Sequence, residues 1–71
     1  MLYRARVSVF RQLMALQRHS PRSLAARVGC SHVTVWAIST ARKSCKYDLA
    51  ARIAKELGVN MDDLFFTQNL L

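Results

Sequence analysis

The chain has 71 residues, 52% of them hydrophobic, with two Gly and one Pro. That is globular composition with room for one small domain, and a chain this short buries only about 60% of the surface it exposes when unfolded, which excludes a regulatory domain beside a working one. Eleven Lys and Arg against four Asp and Glu give a net charge of +7, which points towards nucleic acid, another polyanion or an anionic membrane surface.

The periodicity is helical almost throughout, with no repeat, low-complexity tract or linker. A first helix is predicted from about Arg4 to Arg18, with Phe10, Leu13 and Met14 facing the core and Val9 and Leu16 on a second apolar face. Ser20 then caps a short second helix that carries Pro21 in its first position, where the missing N–H costs nothing. Leu24, Ala25 and Val28 form its apolar stripe, and Gly29 ends it. Ser31 caps a third helix from about His32 to Thr40, with Val35 and Ile38 inward. Its three successive β-branched residues make it a weak helix that needs packing. Ala41 to Lys46 read as a basic loop. A fourth helix from about Tyr47 to Leu57 turns Leu49, Ile53 and Leu57 inward, Ala50 and Ala54 allow close approach, and Gly58 stops it. Asn60 caps a last short helix, with Asp62 and Asp63 in its first turn and Leu64 and Phe65 closing the core. Thr67 to Leu71 read as a loose tail. The expected fold is a single all-α domain of five helices.

Charge divides the chain. Met1 to Tyr47 holds nine basic residues and no acid, while Asp48 to Leu71 holds four acids and two bases. A binding surface for a polyanion therefore belongs to the first two thirds; the plainer reading is a basic face kept for solubility. No apolar run reaches the ~20 residues of a membrane span. Arg4, Arg6 and Arg11 interrupt any secretory signal. Cys30 and Cys45 are too far apart for a Cys-x-x-Cys pair, and only His19 and His32 could join them, so no metal site is expected. Their number allows one disulfide, but two reduced thiols in a cytoplasm is the expected state. No paired carboxylates and no nucleophile beside a base argue for an enzyme, and no cofactor or small-molecule ligand is expected.

Pro21 to Thr40, PRSLAARVGCSHVTVWAIST, places two short helices on either side of a tight turn at Gly29–Ser31. Leu24, Ala25, Val28, Val35 and Ile38 lock the pair, which is the pattern of a helix-turn-helix. The stretch SxxxLAxxVGCSxxTVxxI (Ser20 to Ile38), followed by LAARIAKELGVNMDDLF (Leu49 to Phe65), resembles the Xre/Cro type of helix-turn-helix repressor of bacteria and their phages. The resemblance covers roughly residues 10 to 65. It implies a five-helix lambda-repressor-like domain whose third helix enters the major groove of an operator in a bacterial cytoplasm.

Under that resemblance the base-reading positions are His32, Val33 and Ala37, with Trp36 beside them. His32 can donate or accept at a base edge, whereas Val33 and Ala37 offer only apolar contact, for example to a thymine methyl. Trp36 has two readings: partial burial against a neighbouring helix, or packing on the DNA backbone or at a dimer contact. Phosphate contacts are expected from Arg22 at the start of the second helix, from Ser31 and Thr34, and from Arg42, Lys43 and Lys46 in the loop. Arg18 and Arg27 are weaker candidates. Three departures stand out. Where relatives often pair an Arg in the first helix with a Glu in the third, this chain has Met14 and Ser39. The Gly usual after the third helix is Ala41, and a common Gln at the start of the second helix is Pro21.

A chain that is nearly all DNA-binding domain suggests a small Cro-like phage or prophage repressor. Dimerisation onto two half-sites would supply affinity, with Val9, Leu16, Phe66, Leu70 and Leu71 as candidate contacts or as ordinary exposed hydrophobes. The alternative is an antitoxin-like or adaptor protein on the same scaffold, binding a partner through Trp36 and the apolar tail.

Overall fold

In the computed structural model residues 1–68 are described, in the order β1 (Leu2–Ala5), α1 (Val7–Leu16), α2 (Pro21–Val28), α3 (His32–Ser39), α4 (Tyr47–Leu57), α5 (Met61–Leu64) and β2 (Phe65–Gln68). Local chemistry sets the helix boundaries. At the start of α2 the Ser23 N–H donates to Ser20 Oγ at 3.1 Å and the Ser20 N–H donates to Ser23 Oγ at 2.9 Å. This reciprocal cap satisfies two of the backbone donors that a helix start leaves unpaired. At the other end Gly29 takes φ +88°, a left-handed conformation that an L-residue enters at about 1–2 kcal/mol. Gly29→Ala is therefore expected to lower stability by about 1–2 kcal/mol in urea denaturation, with no added clash. A Cβ at that position meets no heavy atom nearer than Arg52 Nη1 at 4.0 Å.

Ser31 starts α3 in the same manner, its Oγ accepting the Thr34 N–H at 3.1 Å. The weak intrinsic helicity of α3 is offset by burial: Val35 and Ile38 are almost fully enclosed, and α2 packs against α3 more extensively than any other two helices pack. Leu24, Ala25 and Val28 supply the α2 side. Ile53, Leu57 and the two small residues Ala50 and Ala54 close the core from α4. Phe10, Leu64 and Phe65, with Ala5, Met14 and Cys45, complete it. Arg52 Nη1 donates to the Val28 carbonyl at 3.3 Å, which ties α4 to the end of α2.

The all-α expectation needs correction. Five helices are present among the described residues, but β1 and β2 pair antiparallel, Leu2 opposite Gln68 and Ala5 opposite Phe65. The first helix consequently starts at Val7, and Arg4 lies in a strand. Thr67 and Gln68 belong to β2 rather than to a loose tail; residues 69–71 lie outside the described residues, and the candidate dimer contacts Leu70 and Leu71 with them. Tyr3 also exchanges backbone hydrogen bonds with Cys45 on its other side, at 2.8 and 2.9 Å. β1 is thus held between the far end of the chain and the loop after α3. A smaller correction concerns Asn60, which occupies the N-cap of α5 without a side-chain hydrogen bond.

The path of that loop follows from Ala41, which adopts φ +60°. Alanine takes here the conformation a glycine would enter freely. The Arg4 guanidinium donates to the Ala41 carbonyl, while Arg4 Nε donates to Gln68 Oε1 at 3.1 Å. One arginine therefore clasps the loop, β1 and β2 together.

Both cysteines are free, Cys30 half-buried and Cys45 buried. Burial pushes the Cys45 thiol up to about 11 from an ordinary value of 9.0. The unfolded chain sheds that proton first as the pH rises, so stability is expected to fall between about pH 9 and 11. Urea titrations of the native chain and of Cys45→Ala across that range check it: the variant lacks this part of the decline.

Candidate nucleic-acid interface

The exposed face of α3 is built from its first turn. His32 and Val33 stand in solvent, Val33 at 63% exposure. Trp36 follows one turn on at 46%, while Ala37 and Thr34 are half-buried at the edges. Val35 and Ile38 point into the core, so helical phase leaves the outer face to these other residues.

Trp36 is not enclosed against a neighbouring helix. The Arg42 guanidinium lies over its ring, 5.0 Å from the centroid, a geometry in which the aromatic quadrupole attracts the cation. The Arg42 and Lys43 N–H groups both donate to the Ala37 carbonyl, at 2.9 and 3.1 Å. The end of α3 thereby folds the basic loop back towards the exposed face of the helix, with the Arg42 guanidinium over the Trp36 ring.

Two clefts flank the helix. One, of about 340 Å³, is lined by Ser20, Pro21, Arg22, His32, Val33 and Trp36. It brings the start of α2 and the exposed turn of α3 to one surface. The other, of about 420 Å³, includes Thr34, Lys43, Lys46 and Arg52 with Leu2, Ser44 and the acid Asp48. Lys46 occupies the N-cap of α4, with no side-chain cap hydrogen bond there. A cation at that end of a helix opposes the macrodipole, while Asp48 in the first turn of α4 complements it. Met14 and Ser39 line a third cleft of about 310 Å³.

The sequence-predicted residues thus fall into two groups on either side of one helix. Arg22, His32, Val33 and Trp36 share the first cleft; Thr34, Lys43 and Lys46 share the second; Arg42 is linked to the first through Trp36. Ser31 Oγ is engaged in the α3 cap and lies 3.3 Å from Thr34 Oγ1. Arg27 is directed elsewhere: its Nε donates to Glu56 Oε2 at 3.1 Å in an exposed ion pair, which contributes at most about 1 kcal/mol. Sequence reasoning missed Arg52, because it lies in the acidic third of the chain. It also missed Arg4, whose partner is a backbone carbonyl 37 residues away and leaves no local signal. Of the candidate dimer contacts, Leu16 is 79% exposed and Phe66 is 41% exposed, with the Arg6 guanidinium 5.8 Å from its ring centroid. Val9 packs against the core instead.

Among the described residues no helix is long and apolar enough to cross a membrane, and no group of three or more His, Cys, Asp or Glu could hold a metal ion. No curated protein matches the chain. A crystal structure of a candidate DNA-binding protein from Bacteroides fragilis superposes with a TM-score of 0.73 at 20% identity, covering 90% of this chain and 98% of that one. At that identity the likeness establishes the fold. The family model described as the bacteriophage CI repressor helix-turn-helix domain matches residues 8–71, and with the capped α2–turn–α3 unit it places the chain in that family.

Proposed function

We propose that the protein is a sequence-specific double-stranded DNA-binding transcriptional regulator, a small Cro-like repressor of phage or prophage promoters. It acts by occupying an operator and excluding polymerase. The observation that carries this reading is the exposed turn of α3 between Arg22 on one flank and Lys43, Lys46 and Arg52 on the other, with Asp48 the single acid lining either cleft. In this reading α3 enters the major groove, with His32, Val33, Trp36 and Ala37 towards base edges. Arg22, Ser31, Thr34, Arg42, Lys43 and Lys46 meet the sugar-phosphate backbone. The family supports it, since a repressor's helix-turn-helix domain is a DNA-binding unit.

One short helix makes few base contacts. Two copies on half-sites about one helical turn apart would supply the missing affinity, with Leu16 and Phe66 available for the contact. The test is selection of sites from random duplex DNA at about 150 mM salt. Enrichment of a palindrome with half-sites about ten base pairs apart is the expected result. Binding without enrichment that vanishes as salt rises would leave only nonspecific attraction. His32→Ala is expected to relax preference at one base pair by about 1–3 kcal/mol, read from affinities for the selected site and its single-base variants.

An antitoxin-like adaptor is the second reading, favoured by the exposed Val33 and Trp36 in the first cleft. Partner binding lost in Trp36→Ala, with DNA binding retained, would support it.

A further inference from the structure

The outer face of α3 is unusual in what it lacks. Its eight residues, HVTVWAIS, contain no Arg, Lys, Asn, Gln, Asp or Glu. The bidentate pairings that distinguish guanine or adenine in the major groove need those side chains. The hydroxyls present are already engaged. Ser31 Oγ accepts the Thr34 N–H and lies 3.3 Å from Thr34 Oγ1. Ser39 Oγ and Thr40 Oγ1 donate to the Trp36 carbonyl at 3.1 and 2.7 Å. The exposed His32 ring and the Trp36 indole N–H are the remaining polar groups of the face. The rest of the face is the exposed Val33, the exposed ring of Trp36 and the methyl of Ala37, continued by Pro21 across the cleft.

An apolar face of this kind, flanked by Arg22, Arg42 and Lys43, suits a particular occupant. An apolar protein surface would leave the flanking cations without counter-charges. A DNA duplex supplies phosphates along both edges of a groove, and the apolar feature on that groove's floor is the 5-methyl group of thymine. Resting on the DNA-binding reading above, we propose that α3 reads its operator chiefly through pyrimidine 5-methyl groups, with Val33 and Trp36 as the specificity-determining contacts. The preferred half-site is then rich in thymine at the positions facing these two residues. A cytosine methylated at C5 presents the same methyl group and substitutes there better than cytosine.

The fold-change follows from the area of one methyl group. Burying it against an aliphatic or aromatic surface changes affinity by about fourfold. Two or three such contacts discriminate by tens-fold, without a single direct hydrogen bond to a base.

The test uses the full chain and the duplex selected as above. Each thymine is replaced in turn by deoxyuridine, which removes only the methyl group, and affinity is followed through the fluorescence of Trp36, the chain's single tryptophan. At two or more positions deoxyuridine is expected to weaken binding about fourfold. In Val33→Ala the penalty disappears at one of these positions. That side chain is largely exposed, and alanine favours the helix, so the variant folds. Cytosine at such a position weakens binding, and 5-methylcytosine restores part of it. Full affinity with deoxyuridine at every thymine overturns the proposal while leaving DNA binding intact. So does a preference carried wholly by purines and abolished by His32→Ala. Failure of any duplex to be enriched overturns both this proposal and the reading it rests on.

Discussion

Phe65→Ala is expected to cost about 3–5 kcal/mol of folding stability, the range for truncating a buried aromatic. The side chain is 2% exposed. It meets Phe10 edge to face at 5.5 Å between centroids and Tyr3 at 6.5 Å, contacts that add to the area it buries. Its neighbours cannot easily collapse into the space left. Phe10 is fixed on α1, and Tyr3 is held by backbone pairing on both edges of β1. A domain of this length has about 4–11 kcal/mol to lose, so much of the variant population unfolds in mild denaturant. Urea denaturation followed by far-UV circular dichroism measures the effect. A loss below about 1 kcal/mol would mean that β2 is not docked as described.

The second large effect falls on DNA affinity. Replacing Arg42 and Lys43 together by Ala is expected to weaken binding about 30-fold at ~150 mM salt. Each phosphate neutralised releases about 0.9 counterion, so two lost contacts reduce the slope of log affinity against log salt by about two. The loss should be nearly uniform across sequences, because phosphate contacts carry no base information. Arg42 adds a structural component, since its guanidinium rests on Trp36. Affinities of both proteins for selected and random duplexes at several salt concentrations separate the terms. An unchanged slope would mean that neither side chain meets a phosphate.

What was legible in the sequence follows the range of each interaction. Ser20, Pro21, Gly29 and Ser31 act within a few residues of themselves, so the boundaries of α2 and α3 could be read directly. The core stripes of α2, α3 and α4 were legible for the same reason. The sheet was not. Each strand is four residues long, too short to show alternation, and its partner lies at the opposite end of the chain. Arg4 therefore reads as the first residue of a helix. The loop after α3 was legible as basic but not in its path, which depends on the left-handed Ala41 and the Arg4 clasp. That path sets Arg42 on Trp36, a contact that leaves no local signal in the sequence. Arg27 shows the converse: it looked like a possible phosphate contact by charge and is paired with Glu56.

The most direct test of the central claim is amide chemical-shift mapping of the native chain titrated with its selected duplex. The expected changes concentrate on residues 31–37 of the α3 start, on Arg22 at the head of α2, and on residues 42–46 of the basic loop. Shifts centred instead on Leu16 and Phe66, with the first turn of α3 unmoved, would contradict it.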